Sequence, residues 1–155
     1  MTIANASPEA RDPGFEARVR ASFARQAVMH TIGAELAHVA PGEVDVRLPF
    51  RDDLAQQHGF LHAGVVTSIV DSACGYAALS LMRPGAAVLS VEFKVNLLAP
   101  AAGERFRAEG RVLKAGRTLT VCAGEVHGIA GDGRETLVAA LQATMIAVER
   151  EGLAD

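Results

Sequence analysis

The segment HAGVVTSIVDSACGYAALSLM, residues 62–82, decides how the rest of the chain must fold. Its apolar residues, among them Val65, Val66, Ile69, Val70, Ala73, Cys74, Ala77, Leu81 and Met82, fall on nearly every side of a helical wheel. A helix that is apolar all round is a buried one. The spacing therefore predicts a long central helix over residues 63–82, closed by Arg83-Pro84-Gly85. The run matches a membrane span in length, but Thr67, Ser68, Asp71, Ser72, Gly75 and Ser80 interrupt it and favour a core helix. Asp71 is its only charged side chain. An ionised carboxylate is expensive to bury unpaired, so Asp71 either faces a polar edge, caps a neighbouring element or belongs to a functional site.

Strands surround this helix in sequence. Leu89, Val91, Phe93, Val95 and Leu97 alternate with Ser90, Glu92, Lys94 and Asn96, which is the period of a strand. Phe106, Ala108, Gly110 and Val112 alternate with Arg105, Arg107, Glu109 and Arg111. Residues 118–127 and 136–148, joined at Gly131-Asp132-Gly133, complete an expected four-stranded meander. On the N-terminal side, Phe15, Val19, Phe23, Ala27 and Met29 predict one amphipathic helix from Pro13 to a stop at Gly33. Two short strands, residues 34–39 and 44–48, flank Pro41-Gly42, and residues 51–61 read as a loop. Residues 1–12 are expected to be flexible and residues 13–150 to form a single domain. Strands joined by short turns are antiparallel, and one helix wrapped by such a sheet is an α+β domain.

Composition narrows the function. Half of the 155 residues are apolar and 21% are charged, enough for a core without metals or disulfides. The net charge of −3 offers no basic surface for nucleic acid. Thirteen of the fifteen basic residues are Arg, the exceptions being Lys94 and Lys114. The opening MTIANASPEARDPG has neither the basic nor the apolar region of a secretory signal. With Cys74 and Cys122 in apolar surroundings, the expectation is a cytoplasmic protein with reduced thiols and no membrane partner.

The helix start carries a second feature. Gly59-Phe60-Leu61-His62-Ala63-Gly64 leads into a helix N-terminus, whose free N–H groups favour an anion. Small residues at Ala63 and Gly64 let a carbonyl approach the backbone, as an oxyanion hole requires. The plainer reading makes Gly59 and Gly64 turn glycines and His62 a loop histidine. His62 and Asp71 are nine residues apart, about 13 Å along a helix, so they cannot act on one small group within one chain. If both are catalytic, the site requires a symmetric dimer with antiparallel helices.

Gln56, Gly59, His62-Ala63-Gly64, Asp71 and Leu89-Ser90-Val91-Glu92-Phe93 together resemble the hotdog-fold acyl-CoA thioesterases, specifically the PaaI-like, phenylacetate-pathway branch of the 4-hydroxybenzoyl-CoA thioesterase superfamily. The resemblance covers about residues 33–148, element order included. It implies a hotdog fold, an antiparallel sheet around a long helix, and hydrolysis of acyl-CoA to free acid and CoA. Asp71 would be nucleophile or general base, the Ala63 N–H, helped by Gly64, would polarise the thioester carbonyl, His62 and Gln56 would orient thioester or water, and Ser90 would help hold the water. No metal or cofactor is implied, CoA being part of the substrate. The sequence departs from the family where Ala63 stands for the first Gly after the His and Gln56 for an Asn, an amide of the same donor and acceptor set but longer reach.

The turn Lys114-Ala115-Gly116-Arg117-Thr118 either meets the CoA phosphates, which Arg binds well, or is a solvated hairpin. Phe60, Val65, Ile69 and Tyr76 point to a medium-sized apolar or aryl acyl group. A homodimer is required by the spacing, and a homotetramer is the expected assembly. His58 and His62 have metal-ligand spacing but no third ligand by pattern. There is no Gly-x-Ser-x-Gly elbow. The alternatives are a hotdog hydratase or dehydratase and a non-catalytic acyl-CoA-binding module; Asp71 argues against the latter, since a binder has no need of a buried carboxylate.

Overall fold

The computed structural model describes residues 8–155. The expectation of a flexible stretch over residues 1–12 falls mostly on residues 1–7, outside the described residues. Two helices open the chain, α1 (Phe15–Arg25) and α2 (Ala27–Ile32), followed by strands β1 (Glu35–Ala40) and β2 (Glu43–Pro49). The central helix α3 (Ala63–Leu79) precedes strands β3 (Ala87–Leu97), β4 (Arg105–Ala115), β5 (Leu119–Ile129) and β6 (Glu135–Val148). All strand pairs are antiparallel, in the order β1-β2-β4-β5-β6-β3. The six-stranded sheet curls round α3, which is the hotdog arrangement, of α+β class.

Three expectations are corrected. The N-terminal helix is broken in two, because Gln26 takes an extended conformation (φ −79°, ψ 94°) and its side-chain oxygen accepts from Ser72 of α3. Gly33 does stop α2, with the left-handed φ of 78° that glycine tolerates best. The central helix ends at Leu79 rather than Met82. The Arg18 guanidinium donates to the Leu79 carbonyl at this end and to those of Met82 and Arg83 just beyond it, and the Ser80 hydroxyl donates to Ala77.

The expected four-stranded meander is also incomplete. β4, β5 and β6 are consecutive neighbours, but β3 pairs with β6 at the far edge. Residues 98–104 must therefore pass the ends of β6 and β5 to reach β4. That path is three strand spacings, about 14 Å, within the reach of about 23 Å for seven extended residues. On the way Leu98 N–H donates to Val138 O, and Ala101 O accepts from Leu61 N–H, so the crossover also holds the loop ahead of α3.

The core lies between α3 and the concave face of the sheet. Val66, Ile69, Val70, Ala73, Cys74 and Ala77 meet Val44, Val46, Leu48, Phe106, Ala108, Cys122 and Val126. The closest approach is at Gly110 and Gly124, which face each other across β4 and β5. A Cβ on Gly110 would stand 2.3 Å from the carbonyl carbon of Ala73, inside the helix backbone. One on Gly124 would meet the Val70 Cγ2 methyl at 2.5 Å and Cys74 Sγ at 2.8 Å.

Backbone cannot yield as side-chain ends can. Gly110→Ala is expected to cost about 3 kcal/mol, the upper part of the overpacking range, and Gly124→Ala less. Urea denaturation of the two variants checks the order.

Candidate functional site

His62 is the N-cap of α3. Its Nδ1 accepts from the Gly64 N–H at 2.9 Å, so the neutral ring carries its proton on Nε2. The His62 carbonyl accepts from Val65 and Val66. Among the described residues, the Ala63 N–H is the amide of this first turn that meets no acceptor. The loop that delivers it is pinned by a bridge between Ala55 and Leu61. Within the loop, the Gln56 side-chain oxygen accepts from the His58 N–H, which leaves its NH2 end as a donor. Gly64 carries no side chain where a Cβ would press on His62 Nδ1 at 3.1 Å.

Asp71 lies two and a half turns along the same helix and is half-buried. Its Oδ1 accepts from Ser90 Oγ at 2.8 Å. Burial pushes the Asp71 carboxyl above its ordinary value, and the Ser90 hydroxyl draws it partly back. No ion pair reaches Asp71 among the described residues. Ser90 is aimed here by a bulge in β3. Leu89 stands opposite Ile146, the register shifts between Ser90 and Glu92, and Phe93 then stands opposite Ala143. The bulge explains why ten residues of even alternation do not keep one face.

Asp71 and Ser90 line a cavity of about 270 Å³ with Ser22, Gln26, Ser72, Gly75, Tyr76 and Asp155. Gln56, Phe60 and Ala63 line a separate one of about 400 Å³ with Leu97, Leu98, Pro100 and Val138. The two share no residue. One chain thus brings Asp71 and Ser90 together, and Gln56, His62, Ala63 and Gly64 together, but not the two groups. The turn after β4 stands apart from both: Gly116 and Arg117 line a small hollow with Arg11 and Arg83, and Lys114 and Thr118 are exposed beside it. Of the residues expected to touch the acyl group, Phe60 and Tyr76 line cavities, Val65 is half-buried and Ile69 is sealed in the core.

Sequence reasoning missed Gln26, Ser72, Gly75 and Asp155 beside Asp71. A glycine interrupting a strongly helical run was the one available signal. Cys74 and Cys122 are buried and free, and burial pushes both thiols up, Cys122 to about 12, so neither is a ready nucleophile. Among the described residues no three His, Cys, Asp or Glu side chains cluster as a metal site would need, and no helix is long and apolar enough to cross a membrane.

Comparison with known proteins fits this geometry to a family. The Thioesterase superfamily profile matches residues 58–134, which span His62, Asp71, Ser90 and the turn after β4. Two relatives in Saccharolobus solfataricus are described as candidate esterases. One is 32% identical over 122 residues, covering 79% of this chain and 78% of that protein. The other is 29% identical over 90 residues and covers 58% of this chain, which spans only 64% of the relative's length. A thioesterase family protein from Silicibacter pomeroyi is 52% identical in structure-based alignment, with a TM-score of 0.86 over 88% of this chain and all of that one. The E. coli PaaI protein from the phenylacetic acid degradation operon shares the fold, with a TM-score of 0.76 at 20% identity over 86% of this chain and 93% of that one. The chain belongs to the thioesterase superfamily.

Two consequences can be measured. The folded-state pKa of Asp71 lies above its unfolded value, so ionisation opposes folding: the penalty is full above the folded pKa and absent below the unfolded one, about 4. Asp71→Asn is therefore expected to melt above the wild type at pH 7, with the gap closing as pH falls through the raised pKa toward about 4. Gly64→Ala is expected to displace the His62 ring while leaving the fold intact. The checks are melting temperature against pH for the first, and for the second the chemical shifts of the His62 ring with circular dichroism for the fold.

Proposed function

We propose that the protein hydrolyses acyl-CoA thioesters to free acid and CoA, as a PaaI-like thioesterase, at a site shared by two subunits. The observation that carries this reading is the separation described above. A half-buried carboxylate with a hydroxyl partner sits on one stretch of α3, and a helix start with a free Ala63 N–H sits on another, in different cavities. Each half is incomplete for acyl transfer: one has a base without an oxyanion donor, the other a donor without a base.

A second copy supplies what is missing. Edge strand β3 exposes Leu89, Val91, Phe93 and Leu97, each 43–55% accessible. An open, apolar edge is a template for pairing with another chain. Two copies joined along β3 in a twofold arrangement set their central helices antiparallel, so that the helix start of one approaches Asp71 of the partner subunit. Exposed Leu113 and Leu119 offer a further surface for a homotetramer.

In this site the thioester carbonyl oxygen accepts from the Ala63 N–H, with the Gln56 NH2 and His62 Nε2–H as orienting donors. Asp71 of the partner subunit takes a proton from a water that Ser90 helps to hold. The hydroxide adds to the carbonyl carbon, the C–S bond breaks, and the proton returns to the CoA thiolate. A carboxylate made more basic by burial favours the general-base role over direct attack. The phosphates of CoA would meet Lys114, Gly116, Arg117 and Thr118, with Arg11 and Arg83 adding positive charge. The reaction calls on no metal or further cofactor, and the setting is cytoplasmic.

Removing Asp71 is expected to reduce thiol release from acyl-CoA by about 10²- to 10⁴-fold. The shared site adds a sharper expectation. Asp71→Ala and Gln56→Ala homodimers are both impaired. Equal mixing after unfolding should restore about a quarter of wild-type activity, because half of the dimers are hybrids and each hybrid has one intact site. A mixture no better than its parents places the site within one chain. Thiol release from no acyl-CoA, with affinity intact, would mark a binding module, and water addition to an enoyl thioester a hydratase.

A further inference from the structure

We infer that Gly75 determines which acyl groups the protein accepts, by leaving unfilled the part of the Asp71 cavity that a broad acyl group enters. This inference rests on the acyl-thioester reading above and names its specificity-determining residue.

Gly75 lies inside the seventeen-residue helix α3, four positions after Asp71. Residues at that spacing share one helix face, and both line the same cavity. A glycine in a helix interior weakens it relative to alanine, so its presence needs a cause. The two usual causes are absent. Gly75 has no left-handed backbone conformation, and a Cβ built on it meets no atom within 4 Å. Gly110 and Gly124 are different, since their Cβ atoms would collide with α3. What Gly75 preserves is empty volume beside the carboxylate.

The wall beside that volume is tied in place by contacts from three elements. Tyr76 Oη lies 3.3 Å from Ser22 Oγ, and Ser22 donates to Asp155 Oδ1 at 2.6 Å. Asp155 Oδ2 accepts in turn from the Val88 N–H at 2.7 Å, tying the wall to β3. The Tyr76 ring packs on Phe23 with centroids 5.6 Å apart. Hydrogen-bonded through Ser22 and Asp155 and packed on Phe23, this wall bounds the cavity. A methyl group at position 75 projects into the open space beside Asp71 that the acyl group would occupy. An acyl group that reaches this space is bulkier than acetyl.

The test compares wild type, Gly75→Ala and Gly75→Ser on phenylacetyl-CoA and acetyl-CoA. Both variants place a side chain on a helix and are expected to fold, with Gly75→Ala melting higher. The ratio of kcat/KM for the ring-bearing over the two-carbon substrate should fall by about 10- to 200-fold, the range one methylene commands in a fitted pocket. Affinities for the corresponding non-hydrolysable thioethers are measured in parallel and should fall in the same size-selective way. A fall in those affinities without thiol release by the wild type keeps Gly75 as the selector and overturns the hydrolase reading. Thiol release with an unchanged ratio keeps the hydrolase and overturns the inference. So does a Gly75→Ala variant that sediments as a monomer, since the open space would then belong to the second copy. Binding of neither thioether by the wild type overturns both.

Discussion

The fold depends on how closely α3 can lie on its sheet. At the level of Ala73 and Cys74 the helix backbone rests on the strands themselves, with Gly110 and Gly124 leaving no side chain between. That contact fixes the depth of the helix, and the depth decides what is buried. Residues on the sheet-facing side of α3 are sealed. Asp71, pointing along the groove toward the β3 edge, is only half covered and keeps Ser90 as a partner. A helix held further out would leave the carboxylate solvated and the Ser90 hydroxyl out of reach; one sunk deeper would bury the charge without room for water. The half-burial that raises the Asp71 carboxyl is thus part of the same close packing of helix on sheet.

The same helix carries electrostatics of opposite kind at its two ends and middle. Its N-terminus is partly satisfied by His62, which takes one amide and leaves another. At its C-terminus Arg18 takes the Leu79 carbonyl, the Ser80 hydroxyl that of Ala77, and the Ser80 and Leu81 amides those of Tyr76 and Ala78, so the positive charge there serves the backbone. The unpaired Ala63 N–H and the Asp71 carboxylate are the two polar groups of α3 that the proposed reaction uses. These lie too far apart on a rigid rod to meet, and no rotamer can bring them closer.

Much of this was legible in the sequence. The central helix and its burial follow from the apolar run, and Asp71 stood out as the one charge within it. The incompatibility of His62 and Asp71 within one chain needed only the helical rise. Other features were illegible because they depend on neighbours far along the chain. The break at Gln26 comes from a bond to Ser72. The place of β3 beside β6 follows from a crossover that resembles an ordinary turn in sequence. The bulge that aims Ser90 is hidden in an alternation that looks unbroken, because a bulge changes the count of paired residues without changing the residue types. Asp155 sits about as far from Asp71 in sequence as the chain allows, and no local pattern connects them.

That last residue carries a consequence for how the site comes into being. The wall it completes joins Ser22 of α1, Tyr76 of α3 and Val88 of β3, with Ser22 and Asp155 separated by 133 positions. Contacts of such long range carry a high loop-closure cost. The wall therefore exists only once distant parts of the chain have come together, and no local segment can form it alone. Amide exchange at Val88, whose N–H is held by Asp155, reports the completeness of this pocket.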